Sequence, residues 1–356
     1  MSLTVTELRD LLSSLSLDTR GNKSTLKSRL AKHNKSTSST TSPTPPTIQA
    51  RKRPKGQEYD SYLVFDVEAT CERLDGVPRL AFAYPNEIIE WPVILLQWRQ
   101  APSTSNLQAD STTDNAEDGT EGEWRLEKVA EFHSYVKPTW NPTLSQFCTE
   151  LTGITQEEIN SAPTFPRLLR TFKKEFIIPH ELFTPTNKTI WVTDGPWDLR
   201  DFIAKSCYLS RTPRPEFLSG PIIDLKLTVS HFFSSLKRRS PSPPPSSPHP
   251  PPYNPSSSSL KPPPNLSIPC VLSALTLPPF EGRLHSGLSD ARNLSRIVVD
   301  LASRGVGLEG NRIVPDGGKE GKERRWGWMD RGGNVKWEQH KAYELRRLGR
   351  ENDKLR

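Results

Sequence analysis

Two carboxylates stand two residues apart in the run YLVFDVEATC (62 to 71): Asp66 and Glu68. In an extended chain, side chains two apart share a face, so the pair projects together, roughly 7 Å apart, while Phe65 and Val67 turn the other way. Hard divalent cations take oxygen ligands. Two such ions about 3.5–4 Å apart are a recurrent device for phosphodiester hydrolysis, one activating a water and the other steadying the leaving oxygen. An Asp-x-Glu taken alone is more often a solvated strand end. Further acids must join it, and two candidates lie far along the chain. Asp198 opens a helix behind the buried-strand pattern TIWVT (189 to 193) and the break Gly195-Pro196. Asp290 falls in the first turn of an amphipathic helix whose stripe is Leu294, Ile297, Val298 and Leu301. His285 precedes Asp290 by five residues, on the loop ahead of that helix, and a neutral imidazole there can take a proton from water near pH 7. Asp194 competes with Asp198 for one role. Asp224 reads as a helix cap rather than a ligand.

The elements that must position these groups follow from periodicity. Residues 88 to 98 (IIEWPVILLQW) and 124 to 136 read as paired strands, joined by an acidic, disordered insertion at 101 to 123. FCTELTGITQEEINSAPTFPRLLRTF then gives two helical segments turned at Gly153, with Pro166 near the start of the second. A Pro/Ser-rich insertion spans 238 to 264 and cannot build a core. Residues 1 to 34 form a separate unit. Thr4-x-x-Glu7 is a capping box before an apolar face of Val5, Leu8, Leu12 and Leu15, and a basic second helix follows Gly21. Residues 35 to 59 read as a flexible linker with a basic patch at 51 to 55. A basic tail, 311 to 356, carries Trp326, Trp328 and Trp337 among Arg and Lys, a composition suited to stacking on single-stranded nucleic acid.

Composition bounds the class. Only 33% of the 356 residues are hydrophobic and 34 are proline, so one sizeable core with long unpacked segments is expected. The net charge of +7 suits a polyanionic partner. Four cysteines show no paired spacing, which points to reduced thiols and no zinc site, and the N-terminus lacks the pattern of a secretory leader. No run reaches membrane-spanning length, so no membrane partner is expected.

The acids Asp66, Glu68, Asp198 and Asp290, with His285 in a His-x4-Asp arrangement, resemble the DEDDh 3'-5' exonucleases; the sister subclass has tyrosine where Ser286 stands. FDVEATC, EIIEWPVILL, FCTELTGIT, TFPRLL, TDGPWDL and HSGLSDARNLSRI look like the Eri-type branch, over about residues 60 to 306. LTVTELRDLLSSLSLDTRGNKSTLKSRL resembles a SAP module. The resemblance implies an α/β RNase H-like fold, a mixed central sheet flanked by helices, over residues 60 to 310, preceded by a small all-helical module. It further implies two Mg2+ ions, with Mn2+ as a substitute, held by Asp66, Glu68, Asp198 and Asp290, and His285 as general base. Thr70 would approach the terminal 3' hydroxyl, and Trp197 would stack on a terminal base or lie in the core. The implied activity is 3'-5' trimming of RNA with release of nucleoside 5'-monophosphates, in small RNA, histone mRNA or rRNA 3'-end processing. The partners would be RNA, structured or short, at its 3' end, and ribosome or histone mRNA complexes; a monomer in cytoplasm and/or nucleus is expected. A DNA exonuclease would share every ligand, and a catalytically silent nucleic-acid adaptor is the reading from another class.

Overall fold

Three leucines organise the N-terminal unit. Leu8 and Leu12 of helix α1 (Val5–Ser14) and Leu26 of α2 (Lys23–Ser36) are buried together, with Val5, Leu17 and Leu30 packed around them. The capping box forms: Thr4 N–H donates to Glu7 Oε2 at 2.8 Å and Glu7 N–H to Thr4 Oγ1 at 3.3 Å. Asn22 caps α2 by accepting from Thr25 N–H at 3.0 Å. The computed structural model describes residues 4–14, 17–36, 53–73, 83–100, 123–239, 260–315, 326–330 and 334–354. The chain divides into two compact units, Met1–Ala50 and Arg51–Arg356.

In the second unit five buried residues form the central strand β1 (Ser61–Phe65), and β2 (Glu68–Ala69) resumes its line after a break at Asp66 and Val67. The long β3 (Ile88–Gln100) runs antiparallel to both, with Phe65 opposite Val93 and Glu68 opposite Glu90. Pro92, which has no N–H for a ladder, falls in the matching gap. The strand β4 (Trp124–Tyr135) pairs antiparallel with β3. On the other side β1 pairs in parallel with β5 (Thr189–Thr193), β5 in parallel with β6 (Gly220–Asp224), and β6 antiparallel with β7 (Arg312–Val314). The result is a mixed sheet.

Helices cover both faces, because both alternating sets of β1 side chains are apolar. Leu63 and Phe65 face a layer that includes Phe165, Leu168 and Phe172 of α5 and Ile203 of α6. Here α3 is Gln146–Thr152, α4 Gln156–Ser161, α5 Phe165–Phe172 and α6 Ile203–Leu209. Tyr62 and Val64 face the opposite layer, built from α7 (Leu225–Arg239), α8 (Ile268–Ala274) and α9 (Gly287–Ser303), with Leu294, Ile297, Val298 and Leu301 of α9 at its centre. The last helix is α10 (Trp337–Lys354).

Several expectations need correction. The stretch after β4 holds three helices rather than two: Thr155 forms a second capping box with Glu158 that starts α4, the chain turns extended at Ala162, and α5 starts afresh at Phe165 and Pro166. Residue 310 is too early a boundary, since β7 extends the sheet beyond it. Residue 60 is too late: Gln57 donates to Val306 O at 3.1 Å and accepts from Leu308 N–H at 3.2 Å. Helix α7 runs to Arg239 and Leu260 packs on the core, which trims the second expected insertion at both ends; residues 240–259 and 101–122 lie outside the described residues.

The tail differs most. Trp328 is fully buried and Trp337 nearly so, in a cluster with Tyr84, and the Trp328 indole N–H donates to the Ala83 carbonyl. Trp326 stacks on Trp328 with centroids 5.3 Å apart. Lys341 pairs with Glu72 at 3.2 Å. The indoles of Trp328 and Trp337 are consumed as core rather than offered to nucleic acid, and Trp326 is half-buried against Trp328. Trp328→Ala is expected to cost about 3–5 kcal/mol, read as a lower urea midpoint for the unit. A midpoint equal to the parent's would show a tail that docks without supporting the fold.

Candidate active site

Three separate parts of the chain deliver the four acids to one end of the sheet. Asp66 sits where β1 stops, and Glu68 opens β2. Asp198 begins a π-helical turn, Asp198–Phe202, that leads from β5 into α6. Asp290 lies in the first turn of α9. Two close contacts lock these backbones together. Asp198 Oδ1 accepts from Val67 N–H at 3.1 Å, so the turn after β5 is pinned to the break after β1. A Cβ at Gly287 would stand 2.5 Å from the Asp66 carbonyl oxygen, so only glycine lets α9 start this close to β1.

Burial makes the cluster electrostatically costly. Asp198 and Asp290 are each 5% exposed. Asp66 and Glu68 keep an open side toward solvent although protein fills nearly every other direction. Burial pushes Asp66 well above the usual carboxylate range, and the charges of Asp198, Asp290, Asp194 and Glu68 push it further. Glu68 is raised by burial, then by Asp290 and Glu90. Asp198 is pushed up to about 7 by burial, against the Val67 hydrogen bond, and Asp290 up to about 7 by burial, against the amides of His285 and Ser286.

Mutually repelling carboxylates that offer only oxygen donors fit hard divalent cations. Among the described residues no three of His, Cys, Asp and Glu already close into a metal cage. Such a donor set suits a cation that keeps waters and completes its shell with substrate phosphate oxygens.

The remaining candidates separate clearly. Asp194 is held in an ion pair with Lys226 at 2.8 Å, whereas Asp198 bonds to the segment between Asp66 and Glu68. Asp224 caps α7 through Leu227 N–H at 3.3 Å and pairs with Arg312 at 3.1 Å. Trp197 is 46% exposed beside Asp198, with the Arg200 guanidinium 4.5 Å from its ring centroid, which removes the core alternative. Thr70 keeps only its side-chain route to a terminal hydroxyl. It is buried, its N–H donates to Glu87 O at 2.8 Å, and its hydroxyl accepts from Glu87 N–H at 2.9 Å. Its backbone N–H is therefore committed to the fold and not to a terminal hydroxyl. His285 is exposed, on a backbone with φ of 60°.

Sequence reasoning passed over two residues. Glu90, buried in β3, accepts hydrogen bonds from the start of α9; the available signal was an acid inside an otherwise apolar strand. Arg283, two residues before His285, donates to the Glu150 carbonyl and covers Gly153, where a Cβ would lie 1.6 Å from its guanidinium. This ties the histidine loop to the turn after α3, and only the missing side chain at Gly153 permits it.

The fold and these five residues define a DEDDh-type nuclease, and comparison with known proteins agrees. Residues 111–238 match the exonuclease family model RNase_T, a span that contains Asp198, and residues 1–35 match the SAP domain. The chain is 30% identical over 337 residues to the 3'-5' exonuclease eri1 of Schizosaccharomyces pombe, covering 87% of this chain and 90% of that one. It is 29% identical to 3'-5' exoribonuclease 1 of Homo sapiens, over 87% and 70% of the two chains. A solved structure of a 3'-exonuclease that recognises the 3' end of a histone mRNA stem-loop superposes with a TM-score of 0.52 at 28% identity, covering 88% and 86%. The chain belongs to the Eri1 family of 3'-5' exoribonucleases.

The raised acids set a pH dependence. Asp290 keeps its proton in the folded state to about pH 7, whereas in the unfolded chain it ionises near pH 4. The folded state thus binds the extra proton, and this contribution to stability falls as pH rises through that window. In EDTA, Asp290→Asn should match the parent's melting temperature near pH 4 and exceed it increasingly up to about pH 7, by roughly 2–4 °C per kcal/mol relieved. At pH 8, Mg2+ should raise the parent more than the variant. A gap that shrinks with rising pH would refute this assignment.

Proposed function

We propose that the protein is a Mg2+-dependent exonuclease that removes nucleotides one at a time from RNA 3' ends and releases nucleoside 5'-monophosphates. The observation that carries the proposal is the convergence of Asp66, Glu68, Asp198 and Asp290, four acids from three parts of the chain whose affinity for protons is raised by burial and by nearby acid charges. Carboxylates crowded in this way gain from a divalent cation, which offsets the charge repulsion between them. Two Mg2+ ions, or Mn2+ in their place, would lower the pKa of the attacking water and neutralise charge on the departing 3' oxygen. Asp66 and Asp198, tied through Val67, would hold the cation-binding geometry, while Glu68 and Asp290 complete it from β2 and α9. His285, exposed on the loop ahead of α9, would take the proton of the attacking water. The exposed ring of Trp197, next to Asp198, offers a face on which the terminal base can stack.

Steady-state assays on end-labelled RNA test this reading. Asp66→Ala should abolish hydrolysis while leaving RNA binding within about twofold, since it removes a cation ligand and no phosphate contact. His285→Ala should lower kcat by about 10^2 to 10^4 with Mg2+ affinity retained. Parent-like turnover in the Asp66 variant, or Mg2+ affinity lost with His285, would refute the corresponding role.

Carboxylates and backbone contacts read little sequence, so choice among RNAs needs a second grip. The SAP domain supplies it in this proposal, by raising the effective concentration of a structured RNA such as the stem-loop seen with the solved relative. Deleting residues 1–36 should leave trimming of short single strands unchanged. Binding and trimming of stem-loop RNA should weaken, with a shallower salt dependence as phosphate contacts are lost. Equal losses on both substrates would overturn the selective role.

A further inference from the structure

Glu90 is buried in β3 directly opposite Glu68, yet its carboxylate is turned to another use. Oε2 accepts from Gly287 N–H at 2.9 Å and Oε1 from Leu288 N–H at 3.2 Å. Oε1 also lies 2.8 Å from Nε2 of His133 on β4. Gly287 and Leu288 open α9, and the first amides of a helix have no partner within it. Ser286 occupies the cap position, but its side chain makes no capping bond. The cap is therefore supplied from the sheet.

This choice is costly as a matter of stability alone. Like charges directly opposite each other weaken a strand pair. A capping serine or asparagine on the chain itself stabilises a helix start without burying a charge. What the distant carboxylate adds is registration. It fixes α9 to β3 at the place where Gly287 touches the Asp66 carbonyl, three residues before Asp290 and two after His285. A helix free to slide or tilt there would carry the last acid and the histidine away from the acids of β1 and β2.

We infer that Glu90 is a positioning residue for phosphodiester hydrolysis: by capping α9 from β3 and resting against His133, it holds Asp290 and His285 in register with Asp66 and Glu68. The inference rests on the exonuclease reading above. Its substitution should depress the chemical step and spare binding, because misplacing reacting groups by about 1 Å can cost on the order of 10^2 in rate.

The test compares the full-length parent with Glu90→Gln, His133→Ala and Glu68→Gln on end-labelled single-stranded RNA, well below each melting temperature. In Glu90→Gln one oxygen still accepts an amide, while the new NH2 group confronts the other donor. Its kcat should fall about 10- to 100-fold, with KM for RNA and the Mg2+ concentration for half-activation within about twofold of the parent. His133→Ala, which leaves α9 and the acids intact, should show the same split with a smaller fall. A role in stability alone would lower the melting temperature and leave kcat at the parent's value, which overturns the inference. So would a loss carried by KM, or a shift in Mg2+ half-activation as large as that of Glu68→Gln, which would make Glu90 a ligand. If Glu90→Gln fails to fold, an unchanged kcat in His133→Ala overturns it equally. An inactive parent would sink the exonuclease reading itself, a result distinct from an active parent with indifferent variants.

Discussion

Four carboxylates confined to one poorly solvated end of a sheet repel one another, and the surrounding structure is built against that repulsion. A single buried carboxylate can relax by moving or by taking a proton. In a cluster of four each such move disturbs the others, so the backbones have to be fixed by something other than the acids. The Val67 amide holds Asp198, and the contact of Gly287 with the Asp66 carbonyl sets the approach of α9. Both contacts are made at the break between β1 and β2, where the ladder is interrupted and backbone groups are free to serve the site. Apolar layers on both faces of the sheet then supply the stiffness, with Phe65 packed against Trp91 and Trp191 on one side and Val64 among the α9 residues on the other.

The same constraint explains why the site is assembled from positions as distant in sequence as 66, 198 and 290. Neighbouring acids on one element would have to be buried together whether or not a cation was bound. Acids on separate elements come together only when the fold is complete, so the full repulsion is met only in a state that the packed core already holds. The π-helical turn at Asp198 fits this picture, since widened turns of this kind recur at functional sites and here place an acid where a regular helix start would not.

Much of this was legible in the sequence. The apolar run at 62 to 65 and the stripe at Leu294 to Leu301 express local patterns, which survive folding. The choice of Asp198 over Asp194 was not decidable from spacing; Lys226, thirty-two residues away from Asp194 and on another helix, takes the competing acid. The resemblance offered Thr70 without its surroundings, and Glu87 on the neighbouring chain segment takes its backbone N–H. The tail misled for a related reason. Tryptophans among arginines and lysines have the composition of a nucleic-acid surface, and composition is silent about which side faces inward. Tyr84 and Ala83, more than two hundred residues earlier, supply the partner that turns Trp328 into core.

What remains outside the rigid frame is informative in its own right. His285 and Trp197 are both exposed, and each adjoins a buried acid, Asp290 and Asp198 respectively. The histidine stands at the end of a loop whose earlier residues are fastened: Glu281 exchanges two hydrogen bonds with Asn293, and Arg283 grips the Glu150 carbonyl. Its freedom is thereby restricted to the rim of the site rather than shared along the loop. The buried acids are thus locked to the sheet, while the histidine and the tryptophan are left at the surface. An enzyme that removes one nucleotide after another has use for that division, because groups fixed to the sheet keep one geometry at every step while surface side chains can adapt to a different base.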